Sequence, residues 1–130
     1  VHAGWQGTLH EIATKMVERM VNAFGCDPAN IRAAMGPSIG PCCYEVGQEV
    51  FQRFQAHPLL QKSDCLIQTL DGRYFIDLGE SNRIFLLAAG LNNTHIHNAA
   101  LCTKCHNDIF FSHRGQQGKK GLLAAMISLI

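Results

Sequence analysis

The sequence predicts an α+β fold, a mixed sheet covered by helices, and three observations carry that prediction. Apolar residues recur at helical spacing in three stretches, 8–24, 48–57 and 79–91. Short apolar runs lie between them, and two of these, 65–70 and 73–78, flank Asp71-Gly72, a strong two-residue hairpin signal. Helices and strands that interleave, with one hairpin, fit a mixed sheet better than a purely parallel, doubly wound one.

Each element has its own warrant. In 8–24, Leu9, Ile12, Met16, Met20 and Phe24 are spaced by three and four. Thr8 is placed as N-cap with Glu11 three residues on, the capping-box pattern, and Gly25 as the left-handed stop. Asp27-Pro28 is a turn, and Ile31–Met35 reads as a short buried strand. Met35–Gly47 then packs three glycines, two prolines and the adjacent Cys42 and Cys43 into thirteen residues. No regular element survives that composition. A rigid turn between buried elements is where a fold places a site, and a purely structural loop is the even alternative. In 48–57, Val50, Phe51 and Phe54 share one side, and His57-Pro58 ends the helix. In 79–91, Ile84, Leu87, Ala88 and Leu91 are read as facing inward. Thr94–Leu101 alternates weakly, and Leu122–Ile130, apolar on both faces, is read as a central closing strand.

The 130 residues suit a single domain, 1–130, with a real core. Eleven scattered basic residues balanced by ten acidic ones exclude a nucleic-acid-binding surface, and no apolar run is long enough to span a membrane. Six cysteines, two of them adjacent, do not form a disulfide framework, so free thiols and a cytoplasmic location are expected. The start, Val-His-Ala-Gly-Trp, looks like the tail of a strand, and the chain is expected to be a portion of a longer protein.

Four places could carry chemistry. His2, at a strand end ahead of a helix, could ligate a metal, although a lone histidine is more often structural. Cys102-Thr-Lys-Cys105-His106 matches the Cys-x-x-Cys-His pattern of covalent haem attachment and is also half of a zinc site. No second Cys-x-x-Cys occurs, and the adjacent side chains of Cys42 and Cys43 are read as pointing apart, so the motif is expected to hold neither haem nor an essential metal. A haem- or zinc-binding module built on Cys102, Cys105 and His106 is the non-enzyme alternative. In Phe110-Phe111-Ser112-His113-Arg114, the aromatics are expected to anchor the segment in the core and present Arg114 to phosphate or carboxylate. Ser112 and His113 are adjacent and poorly placed to act as nucleophile and base; Cys43 with His2 is the better pair on chemistry.

Taken in order, Val-His-Ala-Gly-Trp-Gln-Gly at 1–7, Gly-Pro-Ser-Ile-Gly-Pro-Cys-Cys-Tyr-Glu-Val-Gly at 36–47, Asp77-Leu78 with Asn82, Cys102-Thr103 and Phe-Phe-Ser-His-Arg at 110–114 closely resemble the YfiH-type family. That family is described as multicopper polyphenol oxidase or laccase-like, and also as purine nucleoside phosphorylase with adenosine deaminase activity. The resemblance covers essentially the whole chain and implies that it is the C-terminal portion of such a protein. It implies a layered α/β/β/α fold of the kind shared by cytotoxic-necrotizing-factor-like cysteine hydrolases. It implies a zinc or copper site of two histidines and one cysteine, with His2 the final histidine and the other two ligands upstream of this chain. The implied reactions are phosphorolysis of adenosine, inosine or methylthioadenosine and hydrolytic deamination of adenosine. A laccase-like oxidoreductase and a cysteine-type hydrolase are the alternatives.

The implied partners are a purine nucleoside and phosphate, with no nucleic acid and no membrane, in a monomer or homodimer. The catalytic residues stay open, with Cys43 and Arg114 as candidates; Arg114, Ser112 and Gln6 are the anion- and substrate-binding candidates, helped by the helix starting at Thr8. The chain departs from the family pattern at Gln6 and Lys119, where arginine is usual, and at Gly115, where a second arginine often follows Arg114.

Overall fold

A computed structural model describes residues 1–116 and 121–128. In chain order the elements are α1 (Trp5–Leu9), α2 (Ile12–Phe24), β1 (Ala33–Met35), β2 (Glu45–Val46), α3 (Gln48–Gln55), β3 (Leu66–Gln68), β4 (Tyr74–Ile76), α4 (Leu78–Ala88) and β5 (Ile96–Asn98). Two small sheets result. β1 and β5 pair in parallel, and β2, β4 and β3 form an antiparallel sheet in that order. The mixed α/β character is as the sequence predicts. The Asp71-Gly72 hairpin joins β3 to β4, with Gly72 at φ 81°, a conformation a side chain would strain.

Two apolar clusters hold these elements. In the first, Phe51 and Phe54 of α3 pack with Tyr44, Leu60, Cys65, Ile76, Leu78 and Phe85. Phe54, Leu60, Cys65, Ile76 and Phe85 are fully sealed from solvent, and each such apolar side chain contributes about 1.5–3 kcal/mol of transfer free energy. In the second, Ala13 and Val17 of α2 meet Ile31, Leu86 and Leu91. Helix α4 is the wall between them, facing one cluster with Leu78 and Phe85 and the other with Leu86.

The predicted helix over 8–24 is two helices. Glu11 adopts a left-handed φ of 53° between α1 and α2, and Gly25 closes α2 as expected at φ 65°. A long-range contact is made at the break. The Glu11 carboxylate meets His57 Nε2 at 3.2 Å, and the His57 ring stands edge-on to Phe85 at 4.9 Å. Thr8 is therefore no N-cap. It is buried inside α1, its amide donates to the Gly4 carbonyl at 2.8 Å, and its hydroxyl accepts from Asn82 Nδ2 at 3.0 Å. The anion site expected at a helix start there is not formed.

Three further expectations are corrected. Of the residues expected to face inward from 79–91, Leu91 is buried and Ile84 packs against the first cluster, but Ala88 is exposed, and Phe85 and Leu86 are the buried apolar pair. Phe110 is only half-buried and Phe111 is exposed, so the aromatics do not lock their segment into the core. Residues 121–128 form no strand, and Leu122, Met126 and Ile127 are all at least 80% exposed. A strand buried on both faces needs neighbours on both edges, and neither small sheet pairs with this run. The rest of the closing stretch, Leu129 and Ile130, and the departure at Lys119 lie outside the described residues.

Candidate functional site

The glycine- and proline-rich stretch after β1 is the centre of the site. The parallel ladder of β1 and β5 continues past both strands. Ala99 N donates to the Met35 carbonyl at 2.9 Å, Ser38 N to Leu101 at 3.2 Å, and Thr103 N to Ser38 at 3.0 Å, so Ser38 and Cys102 form a parallel bridge. Beyond the bridge each chain turns back on itself. The Gly40 carbonyl accepts from Cys43 N at 3.0 Å and Tyr44 N at 2.9 Å, and the Cys102 carbonyl accepts from His106 N at 3.0 Å.

These facing turns gather Cys42, Cys43, Cys102 and Cys105, whose four Sγ atoms all lie within 4.8 Å of one another. Cys105 Sγ is 3.6 Å from Cys42 and 3.5 Å from Cys43. Gly40 makes the approach possible: a Cβ there would stand 3.2 Å from Cys102 Cβ and 3.4 Å from Cys42 Sγ. The reading that Cys42 and Cys43 point apart is thus overturned. It holds in a strand, where neighbours alternate, but residues 41–43 are a turn. Cys102 and Cys105 thus share one group with Cys42 and Cys43. His106 is exposed and stands outside the four-sulfur group.

The sulfurs are electrostatically unequal. Burial opposes ionisation of Cys102, but the backbone amides of Gly40, Cys105 and Lys104 outweigh it and bring that thiol down to about 6; the Gly40 amide donates to its sulfur at 3.3 Å. Cys42 is exposed as a residue, yet desolvation of its sulfur, and then its contacts with the other thiols, push it up to about 12. Contact with Cys43 raises Cys105 as well. Together the four sulfurs make a soft, electron-rich donor set.

Arg114 comes to the same neighbourhood. Its Nη1 donates to the Glu45 carbonyl at 2.8 Å and its guanidinium lies 5.3 Å from the Tyr44 ring centroid. Burial raises the Tyr44 hydroxyl above its usual range, with Arg114 pulling the other way. The head group is exposed and fixed by stacking rather than by the preceding aromatics.

The other candidates are scattered. Ser112 is buried, and its hydroxyl accepts from Gly115 N at 3.0 Å, closing a turn, while His113 is exposed. Gln6 is exposed on α1 and His2 is exposed at the chain start. No hydrogen bond joins Cys43 to His2; the Cys43 sulfur faces Cys105. Among the described residues, no second cluster of three or more metal-ligating side chains accompanies His2.

The fold recurs in known proteins. The Bacillus licheniformis hypothetical protein YfiH superimposes with a TM-score of 0.86 at 42% identity, over 93% of this chain and 45% of that one. The purine nucleoside phosphorylase YlmD of Geobacillus stearothermophilus is 42% identical over 128 residues, 97% of this chain and 46% of the relative. Adenosine deaminase RL5, from an unknown prokaryotic organism, is 41% identical over 115 residues, 87% of this chain and 43% of the relative. The chain thus spans a little under half the length of these relatives. The profile of the family described as multi-copper polyphenol oxidoreductase laccase matches residues 1–130.

Proposed function

Because this chain belongs to the multi-copper polyphenol oxidoreductase laccase family, we propose that the complete protein is a purine nucleoside phosphorylase with adenosine deaminase activity. The observation that carries this reading is 42% identity, across 97% of the chain, to a relative that bears the phosphorylase name. The deaminase relative supports the second activity. Adenosine, inosine and methylthioadenosine are the proposed nucleosides. In phosphorolysis a phosphate oxygen bonds to the sugar C1′ as the bond to N9 breaks. The electron pair leaves with the purine, which takes up a proton. In deamination water adds at C6 and ammonia departs.

The metal implied by the family resemblance takes three protein donors and one open position in a catalytic zinc site. This chain offers His2 alone for it, so the residues present do not complete that site; the histidine and cysteine that would join His2 are proposed to lie outside the chain. What the chain's own residues contribute is anion recognition. Arg114 is held against Tyr44 with one of its donors on the Glu45 carbonyl, and the rest of the fork, which makes no other hydrogen bond among the described residues, is proposed to meet phosphate. Gln6, exposed on α1, is proposed as a substrate contact and Ser112 as the residue that shapes the Arg114 turn. Cys43 is not retained as a nucleophile, since its sulfur belongs to the thiol group.

The test is to incubate the complete protein with adenosine or inosine, with and without phosphate, and to separate the products. Phosphate-dependent release of the base with ribose 1-phosphate is expected, together with phosphate-independent conversion of adenosine to inosine. Arg114→Ala should raise the KM for phosphate about ten- to hundredfold, as expected for loss of one charge-assisted bond of about 1.5–3 kcal/mol, and leave deamination much less affected. Equal losses in both reactions would remove the phosphate role. The family description favours a second reading, a copper-dependent polyphenol oxidase. A strong visible copper band with oxygen uptake on phenols, and no nucleoside cleavage, would establish that reading instead.

A further inference from the structure

We propose that Cys42, Cys43, Cys102 and Cys105 bind one Zn²⁺ as a closed set of four thiolates, a structural metal centre in which His2 takes no part. Four sulfurs around zinc at about 2.3 Å form a tetrahedron with edges of about 3.8 Å. Here the four Sγ atoms fall within 4.8 Å of one another, with two of the separations at 3.5 and 3.6 Å, so those two pairs need a few tenths of an ångström of adjustment and no pair more than about 1 Å. That spacing suits one mononuclear ion. A multi-iron cluster holds its cysteines around an inorganic core and needs them further apart. Four cysteines leave no open coordination position, which is the pattern of a structural site rather than a catalytic one.

The surroundings are built for the same purpose. Gly40 has no Cβ where one would meet Cys102 and Cys42, and its amide donates to Cys102 Sγ at 3.3 Å. Such a bond offsets part of the negative charge that four thiolates place around a dication and orients the ligand. On binding, four S–H protons are released and four Zn–S bonds form, leaving the centre with two net negative charges and no change of oxidation state. The ion ties the Gly40–Tyr44 turn to the Cys102–His106 turn, and so fixes Tyr44, on which Arg114 stacks.

The complete protein, purified under reducing conditions without chelators, is to be analysed for metals alongside Cys42→Ser, Cys105→Ser and His2→Ala. Both cysteine variants should lose one zinc equivalent per chain that His2→Ala keeps. Cysteines 42 and 105 are exposed, which favours folding of both variants, and circular dichroism checks it. Cobalt substitution of the unmodified protein provides an independent readout that needs no variant. It should give the intense visible bands of tetrahedral cobalt with sulfur-to-metal charge transfer in the near ultraviolet, and Cys105→Ser should lose the share of both that belongs to one four-thiolate cobalt per chain. Unchanged zinc in both cysteine variants would overturn the proposal. So would a cobalt spectrum without thiolate charge transfer, iron or copper in place of zinc, or a disulfide between Cys105 and Cys42 or Cys43. None of these measurements uses a nucleoside, so failure here and failure of the enzymatic reading are separate results.

Discussion

Gly40 shows how much one absent methyl group decides. A Cβ at that position would press on Cys102 Cβ at 3.2 Å, an atom fixed to its backbone, and touch Cys42 Sγ at 3.4 Å. Gly40→Ala is therefore expected to destabilise by about 1–3 kcal/mol, the usual cost of overpacking. Urea unfolding should show a lower midpoint with an unchanged slope; an unchanged midpoint would mean that the two turns part freely. The residue types of the thiol site were all legible in the sequence: a Cys-x-x-Cys pair and an adjacent pair some sixty positions away. What no local pattern could supply was that the two turns face each other. Glu11 gives the same lesson in reverse. The spacing of Leu9, Ile12 and Met16 predicts an unbroken helix, and the residue at the break, Glu11, is engaged by His57, 46 residues away.

Among the elements, α4 is set by its ends more than by its face. Asp77 caps it, with Oδ1 accepting from Glu80 N at 2.8 Å, and the Ser81 hydroxyl donates to the Asp77 carbonyl at 2.7 Å. Asp77→Ala should cost about 1 kcal/mol and lower the melting temperature by a few degrees, as followed by circular dichroism. A melting temperature that does not move would show that Ser81 and the burial of Leu78 hold the helix start without the carboxylate. The existence of α3, α4 and the hairpin was readable because periodicity and Asp71-Gly72 are local signals. The buried face of α4 was readable only in part, at Ile84 and at Leu91 just beyond its end. Ile84, Leu87 and Ala88 form as good an apolar stripe as Phe85 and Leu86, and only the positions of α2 and α3 choose between them. The run from Leu122 carries strand propensity with no neighbour to pair with, and propensity without a partner makes no strand.

At the scale of the whole molecule, two clusters share α4 and the site lies beyond the ends of the parallel pair. The antiparallel sheet and α3 are drawn from residues close in sequence. Ser38 and Cys102, by contrast, meet only after a loop of some sixty residues has closed, and nothing rewards that closure until the ladder registers. Folding rate falls as such distant pairings come to dominate. The chain should accordingly order in two kinetic stages, the α3–hairpin cluster first and the four-sulfur turn last. Trp5, the single tryptophan, packs against the first cluster and reports on it. After dilution from denaturant, tryptophan fluorescence should recover before Cys102, the buried thiol of the site, becomes protected from a pulse of alkylating reagent. Equal rates for the two signals would mean that the long loop closes in the nucleus itself, and that the thiols are assembled as the chain collapses rather than after it.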